Sequence, residues 1–501
     1  MEQLEPEICY RALQTRDPRF DGRLFVGVTS TGIYCRPICP ARTPNRENCR
    51  FFPTAAAAQQ AGFRACLRCR PEISPETAGW RGTSNSVSRA LALIAEGFLD
   101  CEEGTVEALA TRVGMGERQL RRLFEQHLGA SPVAVAQTRR VLFAKQLIHD
   151  TRLSMAEIAM ASGFGSLRRF NDTFRTLYRR PPRELRRRNM RPMPDPSGVA
   201  PVIFHMSYRP PYDWNAMLAY LDARAIDGLE FVENGVYRRT VSYEGEQGIV
   251  SVAHAPDRHA LRATIQFPSV RALQTIVARV RHVFDVGADV GAITSHLAKD
   301  QTLAPLIASR PGLRAPGCWD GFELAVRAVL GQQITVEAAR QLGSKLVRLC
   351  GDPIHGASDS RLSRTFPSAH CLATVNLSRL GMPKSRKATL QALARAAIAN
   401  PRLFEPLSSI EESIAQLRAI LGVGQWTAQY IALRALRDPD AFPVTDVGIL
   451  RGAASLGVVP TAPQLMQRAE AWRPWRAYAA QYLWTVDSST PHRPTEARHA
   501  E

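Results

Sequence analysis

The stretches TGIYCRPICPAR (31–42) and AGFRACLRCRPE (61–72) place Cys35 and Cys39 in a C-x3-C pair and Cys66 and Cys69 in a C-x2-C pair. Each pair can present two thiolates on one side of a tight turn, and four thiolates in a tetrahedron suit Zn2+. Spacing alone leaves two readings open: a structural zinc clip, or a zinc that keeps one thiolate reactive. The other cysteines, Cys9, Cys49, Cys101, Cys318, Cys350 and Cys371, are scattered singly, unlike the framework of a small disulfide-stapled domain. The first residues, MEQLEPEICY, carry acids and no apolar signal-peptide core, and no apolar run reaches the roughly 18 residues of a membrane helix. A reduced, cytoplasmic chain with no membrane contact is expected.

At 501 residues the chain is too long for one core. Lys and Arg together number 64 against 46 Asp and Glu, a net charge of +18 that points to nucleic acid as partner. Two Pro/Gly/Ser-rich segments, SPETAGWRGTSNS (74–86) and RPMPDPSGVAP (191–201), read as linkers. Between them the pattern is helical and contains two similar units. In the first, Val106, Leu109, Ala110 and Val113 keep helical spacing, Gly114-Met115-Gly116 turns, and Leu120, Leu123, Phe124 and Leu128 follow. In the second, Ser154 and Glu157 form a capping box, Gly163-Phe164-Gly165 turns, and Leu167, Phe170, Phe174 and Leu177 follow. Each unit is a helix-turn-helix. The second helices carry Arg118, Arg121, Arg122 and Arg168, Arg169, Arg175 on their outward faces, so two recognition helices can enter successive major grooves of double-stranded DNA. Beyond residue 201, VYRRTVSY (236–243), GIVSVAH (248–254) and LRATIQF (261–267) have strand character, and helical patterning resumes from about 313 to 487.

The cysteine stretches resemble the N-terminal zinc domain of the Ada methylated-DNA response proteins. The tandem units are similar to the AraC-type regulatory domain that follows it there. No Pro-Cys-His-Arg motif of an alkylguanine methyltransferase comes next. Instead, YRPPYDWNAMLAYLDARAIDGLE (208–230) resembles the N-terminal domain of AlkA-type DNA-3-methyladenine glycosylases. RPGLRAPGCWDGFELAVRAVLGQQI (310–334) and LGVGQWTAQYIALRAL with FPVTD (421–446) are similar to their helix-hairpin-helix core. The resemblance implies a multidomain, mostly α chain. It divides into a small zinc-bound α+β domain (1–78), a tandem helix-turn-helix domain (84–190), an α+β AlkA-type N-terminal domain (201–312), an all-α glycosylase core (313–487) and a disordered tail (488–501).

For the first half, the resemblance implies one Zn2+ held by Cys35, Cys39, Cys66 and Cys69, with Cys35 accepting a methyl group from a DNA methyl phosphotriester and the other three acting as ligands only. Four thiolates on one zinc are formally doubly negative, and methylation leaves a single negative charge. DNA phosphates are then repelled less, so operator binding should strengthen. Thr31, Arg42 and Arg64 match positions that contact the DNA backbone in Ada. The basic residue expected after the second cysteine is Pro40 here.

For the second half, Leu421-Gly422-Val423-Gly424 is a hairpin turn whose glycines let the backbone approach a phosphate. The bifunctional members of the superfamily place a Schiff-base lysine where this chain has Trp426, which implies a monofunctional hydrolase. Asp446 matches the catalytic aspartate, although a lone Asp before an apolar run is equally a helix N-cap. Trp426, Tyr430 and Trp484 would line a pocket for a flipped, cationic base. Gln333 stands where some members carry a leucine that wedges into the base stack. The implied function is a fused alkylation sensor, transcriptional activator and glycosylase for 3-methyladenine- and 7-methylguanine-type lesions, with RNA polymerase as partner in activation. The alternative is a DNA-binding activator whose glycosylase module is catalytically silent. With Trp426 in the lysine position, borohydride should trap no covalent enzyme–DNA adduct on lesion-containing duplex, as checked by denaturing electrophoresis.

Overall fold

The computed structural model of the chain describes residues 5–75, 85–100, 104–186, 201–354, 359–407, 409–457 and 461–489. Most of both expected linkers, and the expected tail beyond Ser489, lie outside these residues; the final helix, Arg476–Ser489, runs into the start of that tail.

The cysteine unit is a four-stranded sheet of β1 (Phe25–Val28), β2 (Ile33–Cys35), β3 (Cys49–Phe52) and β4 (Arg64–Ala65), in the order β3-β1-β2-β4. The parallel pairing of β2 with β4, Ile33 against Arg64 and Tyr34 against Ala65, is what matters for the cysteines. It sets the end of β2, Cys35, beside Cys66, the first residue after β4.

Both helix-turn-helix units form where the sequence places them. Val106–Arg112 and Glu117–Leu128 flank Gly114, whose φ of +79° makes the turn, and Met155–Ala161 and Leu167–Tyr178 flank Gly163 at +74°. Thr105 caps the first unit, and the Ser154–Glu157 capping box opens the second. Leu109, Leu120 and Phe124 of one unit and Phe170 and Phe174 of the other are fully buried. Between the units runs Pro132–Asp150, the spine helix, capped by Ser131. Its residues Phe143 to His149 are buried without a break, so neighbours surround its C-terminal half on every side.

One of those neighbours is a five-stranded antiparallel sheet of β5 (Val202–Ser207), β6 (Glu230–Glu233), β7 (Val236–Tyr243), β8 (Glu246–Ala255) and β9 (Ala260–Gln266), in the order β5-β9-β8-β7-β6. Leu261, Ala263 and Ile265 alternate inward, as the sequence predicts for a half-buried strand. Hydrophobic packing runs across the expected domain boundaries. Leu147, Ile158, Phe170 and Phe174 share one core with Phe204, Met206, Val250 and Leu261, and the rings of Phe143 and Phe204 lie 5.3 Å apart. The helix Val290–Leu297, in sequence before residue 313, likewise packs into the C-terminal helical core. Further contacts join the halves: Arg112 Nε donates to Glu405 at 2.7 Å, and Arg23 pairs with Asp289. Among the described residues no helix is long and apolar enough to cross a membrane.

Because the sheet and the second helix-turn-helix unit share a core, Phe204→Ala should cost about 3–5 kcal/mol and loosen both. Hydrogen exchange should show protection falling together in 141–178 and 202–266.

Candidate functional site

The Sγ atoms of Cys35, Cys39, Cys66 and Cys69 all lie within 4.8 Å of one another. A tetrahedral zinc with Zn–S bonds of about 2.3 Å sets its sulfurs about 3.8 Å apart, so the cluster fits one Zn2+. The thiols disturb one another strongly. Hydrogen bonding from Cys35 draws Cys39 down to about 7 and Cys66 lower still, while the same contacts push Cys35 up. Four sulfurs this close offer a single cation a complete set of ligands. Cys39, Cys66 and Cys69 are each 6% exposed, whereas Cys35 is more open. Backbone N–H groups donate to Cys69 (from Arg36, 3.3 Å) and to Cys66 (from Arg68, 3.4 Å), while Cys35 is held by the neighbouring thiols.

The spacing did not reveal what surrounds this cluster. Buried Arg36 pairs with Asp21 and donates to the Cys69 carbonyl at 3.1 Å. Lys145 reaches in from the spine helix, its Nζ 2.8 Å from the Cys66 carbonyl and 2.7 Å from Glu72. Burial would raise the Glu72 carboxyl, but Lys145 and Arg70 more than offset this and hold it below its ordinary value. Thr31 and Arg42 are exposed, and Arg64 partly so.

Arg118, Arg121 and Arg122 stand exposed on Glu117–Leu128, and Arg168, Arg169 and Arg175 on Leu167–Tyr178. Arg121 is braced by Glu117 one turn back, its Nε donating at 2.7 Å. Both recognition helices thus bury one apolar face and present guanidinium groups on the other.

In the C-terminal core the hairpin lies between Ile410–Arg418 and Gln425–Arg434. Gly422 has φ +79°, and a Cβ there would lie 1.9 Å from Thr389 Oγ1, so no other residue fits. Gly424 is exposed at the N-terminus of the following helix. Gln332 has no signal in the sequence. Its amide donates to the Gly422 carbonyl and to Thr427 Oγ1, each at 3.1 Å, and so pins the hairpin to the loop that carries Gln333. Gln333 is exposed and left-handed, with φ +58°, beside the exposed side chains of Ile334 and Val336.

Asp446 caps the helix Val447–Ser455, its Oδ1 accepting from Ile449 N at 3.1 Å. The same carboxylate accepts the indole N–H of Trp484 at 2.8 Å on Oδ1 and that of Trp426 at 2.7 Å on Oδ2. Trp426 and Tyr430 stack with centroids 5.4 Å apart, and Trp484 meets Tyr430 edge-on at 6.3 Å. The three aromatic residues and the aspartate therefore form one constellation. A flipped base would use the rings' outer faces, since Trp426 and Tyr430 already cover each other. Tyr220 joins them from the preceding domain, its hydroxyl 3.2 Å from that of Tyr430. Arg434, 1% exposed, lies behind the rings, 4.9 Å from the Trp484 centroid, held by the Pro316 carbonyl and Gln481. Burial pushes the Tyr430 hydroxyl up to about 12.

The family models that match are the metal binding domain of Ada (8–72), a helix-turn-helix domain (109–188), the AlkA N-terminal domain (203–320) and the HhH-GPD superfamily of base excision DNA repair proteins (326–477). The chain is 41% identical, over 96% of both lengths, to a probable bifunctional transcriptional activator/DNA repair enzyme AlkA of Mycobacterium tuberculosis. The chain belongs to the family of bifunctional transcriptional activator/DNA repair enzymes. The two halves of this bifunctional protein also match separate relatives. DNA-3-methyladenine glycosylase 2 of Escherichia coli is 31% identical, spanning 58% of this chain and 99% of its own. Escherichia coli Ada, a bifunctional transcriptional activator/DNA repair enzyme, is 37% identical over 26% of this chain and 35% of its own. A 3-methyladenine DNA-glycosylase from Archaeoglobus fulgidus shares the fold of the C-terminal part, with a TM-score of 0.52 and 20% identity, over 57% of this chain and 98% of that one. The bifunctional enzyme is thus a zinc-binding DNA repair protein of mostly helical, multidomain build, with DNA as its partner.

Trp484→Phe keeps an aromatic ring but removes the indole's five-membered ring and its N–H. A hydrogen bond to a charged group contributes about 1.5–3 kcal/mol, so single-turnover base release should fall by roughly 10-fold or more. Circular dichroism should report an unchanged fold.

Proposed function

We propose that the chain repairs alkylated DNA by two chemistries, hydrolysing the N-glycosidic bond of 3-methyladenine- and 7-methylguanine-type bases and removing the methyl group of DNA methyl phosphotriesters onto Cys35. The Asp446 carboxylate carries the first reading. Three N–H donors fix its orientation, beside the packed rings of Trp426, Tyr430 and Trp484 and near a hairpin whose glycines can meet a phosphate. A flipped alkylated purine stacks on Trp426 or Trp484 at a cost of a few kcal/mol for leaving the helix. As the bond from C1′ to the base nitrogen lengthens, positive charge builds on the sugar, and the electron pair departs with the base. Asp446 opposes that charge and orients a water, whose oxygen bonds to C1′ while its proton passes to the Asp446 carboxylate. A base already cationic leaves neutral and needs no protonation. No amine stands at position 426 to form an imine, so the reaction ends at an abasic site.

In the N-terminal unit the most exposed of the four thiolates, Cys35, attacks the methyl carbon. A sulfur–carbon bond forms, the carbon–oxygen bond breaks, and its electron pair stays on the phosphate oxygen, restoring the anionic diester. A zinc in the cluster keeps its ligands deprotonated at neutral pH. Backbone N–H bonds to Cys66 and Cys69 draw electron density from those sulfurs, which leaves Cys35 the better nucleophile. Loss of one negative charge then favours operator binding by the two recognition helices, and activation acts through RNA polymerase. Free thiols of this number suit the reducing cytoplasm.

Asp446→Asn tests the first chemistry. One amide oxygen cannot accept three N–H groups, and the charge is gone. Release of 3-methyladenine in single turnover should fall roughly 100- to 1000-fold while duplex affinity persists; retention of more than about a third of the rate would place the catalytic carboxylate elsewhere. For the second chemistry, Cys35→Ala should abolish methyl uptake and weaken zinc retention, read by peptide mapping and metal analysis.

A further inference from the structure

We propose that Lys145 of the spine helix is a positioning residue of the methyl-acceptor centre, and that through it the helix joining the two DNA-binding units senses the charge of the cysteine cluster. The inference rests on the reading of Cys35 as methyl acceptor.

Lys145 and Glu72 are both wholly buried in their side chains. The Lys145 ammonium donates to the carbonyl of Cys66, a cluster residue, and to Glu72 Oε2. The other oxygen of Glu72 accepts from Arg70 Nε at 3.0 Å, and Arg70 Nη2 donates to Asp150, the last residue of the spine helix, at 2.9 Å. The loop from Cys66 to Glu72 is therefore gripped at two points on one helix. A buried ion pair is a poor device for stability alone, since apolar replacements are often no worse. Here its cation is aimed at the backbone of a metal-ligand cysteine. A doubly negative cluster holds the ammonium more strongly than a singly negative one, so methylation weakens the grip.

The spine helix is placed to pass that change on. Ala136 in its first half packs with Leu120 and Phe124 of the first helix-turn-helix unit, and Leu147 and Ile148 pack with Ile158 and Phe170 of the second. It thereby sets the relative orientation of the two recognition helices, which decides whether both meet successive grooves. Gln146 Nε2 also donates to the His205 carbonyl on β5 at 2.8 Å, tying the same turn to the following domain. Direct repulsion between the cluster and DNA is screened by salt, whereas a buried contact is shielded from it. Two components of the methylation effect follow, one salt-dependent and one salt-resistant, and Lys145 carries the second.

The test uses the zinc-loaded full chain and a duplex selected against the methylated wild-type protein. Affinity of methylated and unmethylated forms is compared at low and high salt for wild type and for Lys145→Met combined with Glu72→Gln, which leaves no lysine-less carboxylate buried. Zinc content and methyl uptake are measured alongside. Wild type should keep a several-fold preference at high salt, and the double variant should lose it while keeping the low-salt preference. Arg70→Gln, which cuts only the outer link to Asp150, should weaken the high-salt preference and serves if the double variant fails to fold. An unchanged high-salt preference in the folded variants, or none in wild type, overturns the coupling alone. Absence of methyl on wild-type Cys35 overturns the acceptor reading and the coupling with it.

Discussion

The Lys145 ammonium, enclosed between the Cys66 carbonyl and the Glu72 carboxylate, is the constraint from which the arrangement of the N-terminal half follows. A charge with no access to water must be paired wherever the chain folds. With the apolar residues of the spine helix already burying its C-terminal half, that requirement selects the register in which Lys145 meets the cysteine loop. Once the helix is fixed there, its apolar residues are committed to both helix-turn-helix cores, and Gln146 and Phe143 are committed to β5. The first three sequence units therefore pack together among the described residues.

The C-terminal half is organised by a second carboxylate with the opposite surroundings. Asp446 is partly exposed and accepts three N–H groups, so its orientation is set without its being hidden from water. Cap and catalytic readings compete in the sequence, yet the geometry makes them compatible: the helix N-terminus and both indoles hold one carboxylate. Arg434 adds a tension. A fixed cation 4.9 Å from the Trp484 ring draws on the π-density that a cationic base would use.

What was legible in the sequence is what local patterning encodes. Val236–Tyr243 forms as a strand with the bounds its composition suggests, the capping box at Ser154 and Glu157 closes, and the four cysteines meet. What was not legible depends on partners far away in sequence. Lys145 reads as an ordinary surface lysine until Glu72, 73 residues earlier, is seen beside it. Tyr220 joins the aromatic cluster across 210 residues, and Gln332 pins a hairpin 90 residues downstream. No periodicity or spacing carries such contacts. The core shared between the units is invisible in the sequence for the same reason, because apolar periodicity shows that a face is buried but not against what.

If one chain performs both repairs, both products come from a single sample of the zinc-loaded chain incubated with methylated duplex DNA, read by mapping the methylated peptide and quantifying the bases released. Methyl on Cys35 alone, together with free 3-methyladenine, is the expected result. Methyl on another residue, or no released base from folded, zinc-loaded protein, would contradict it.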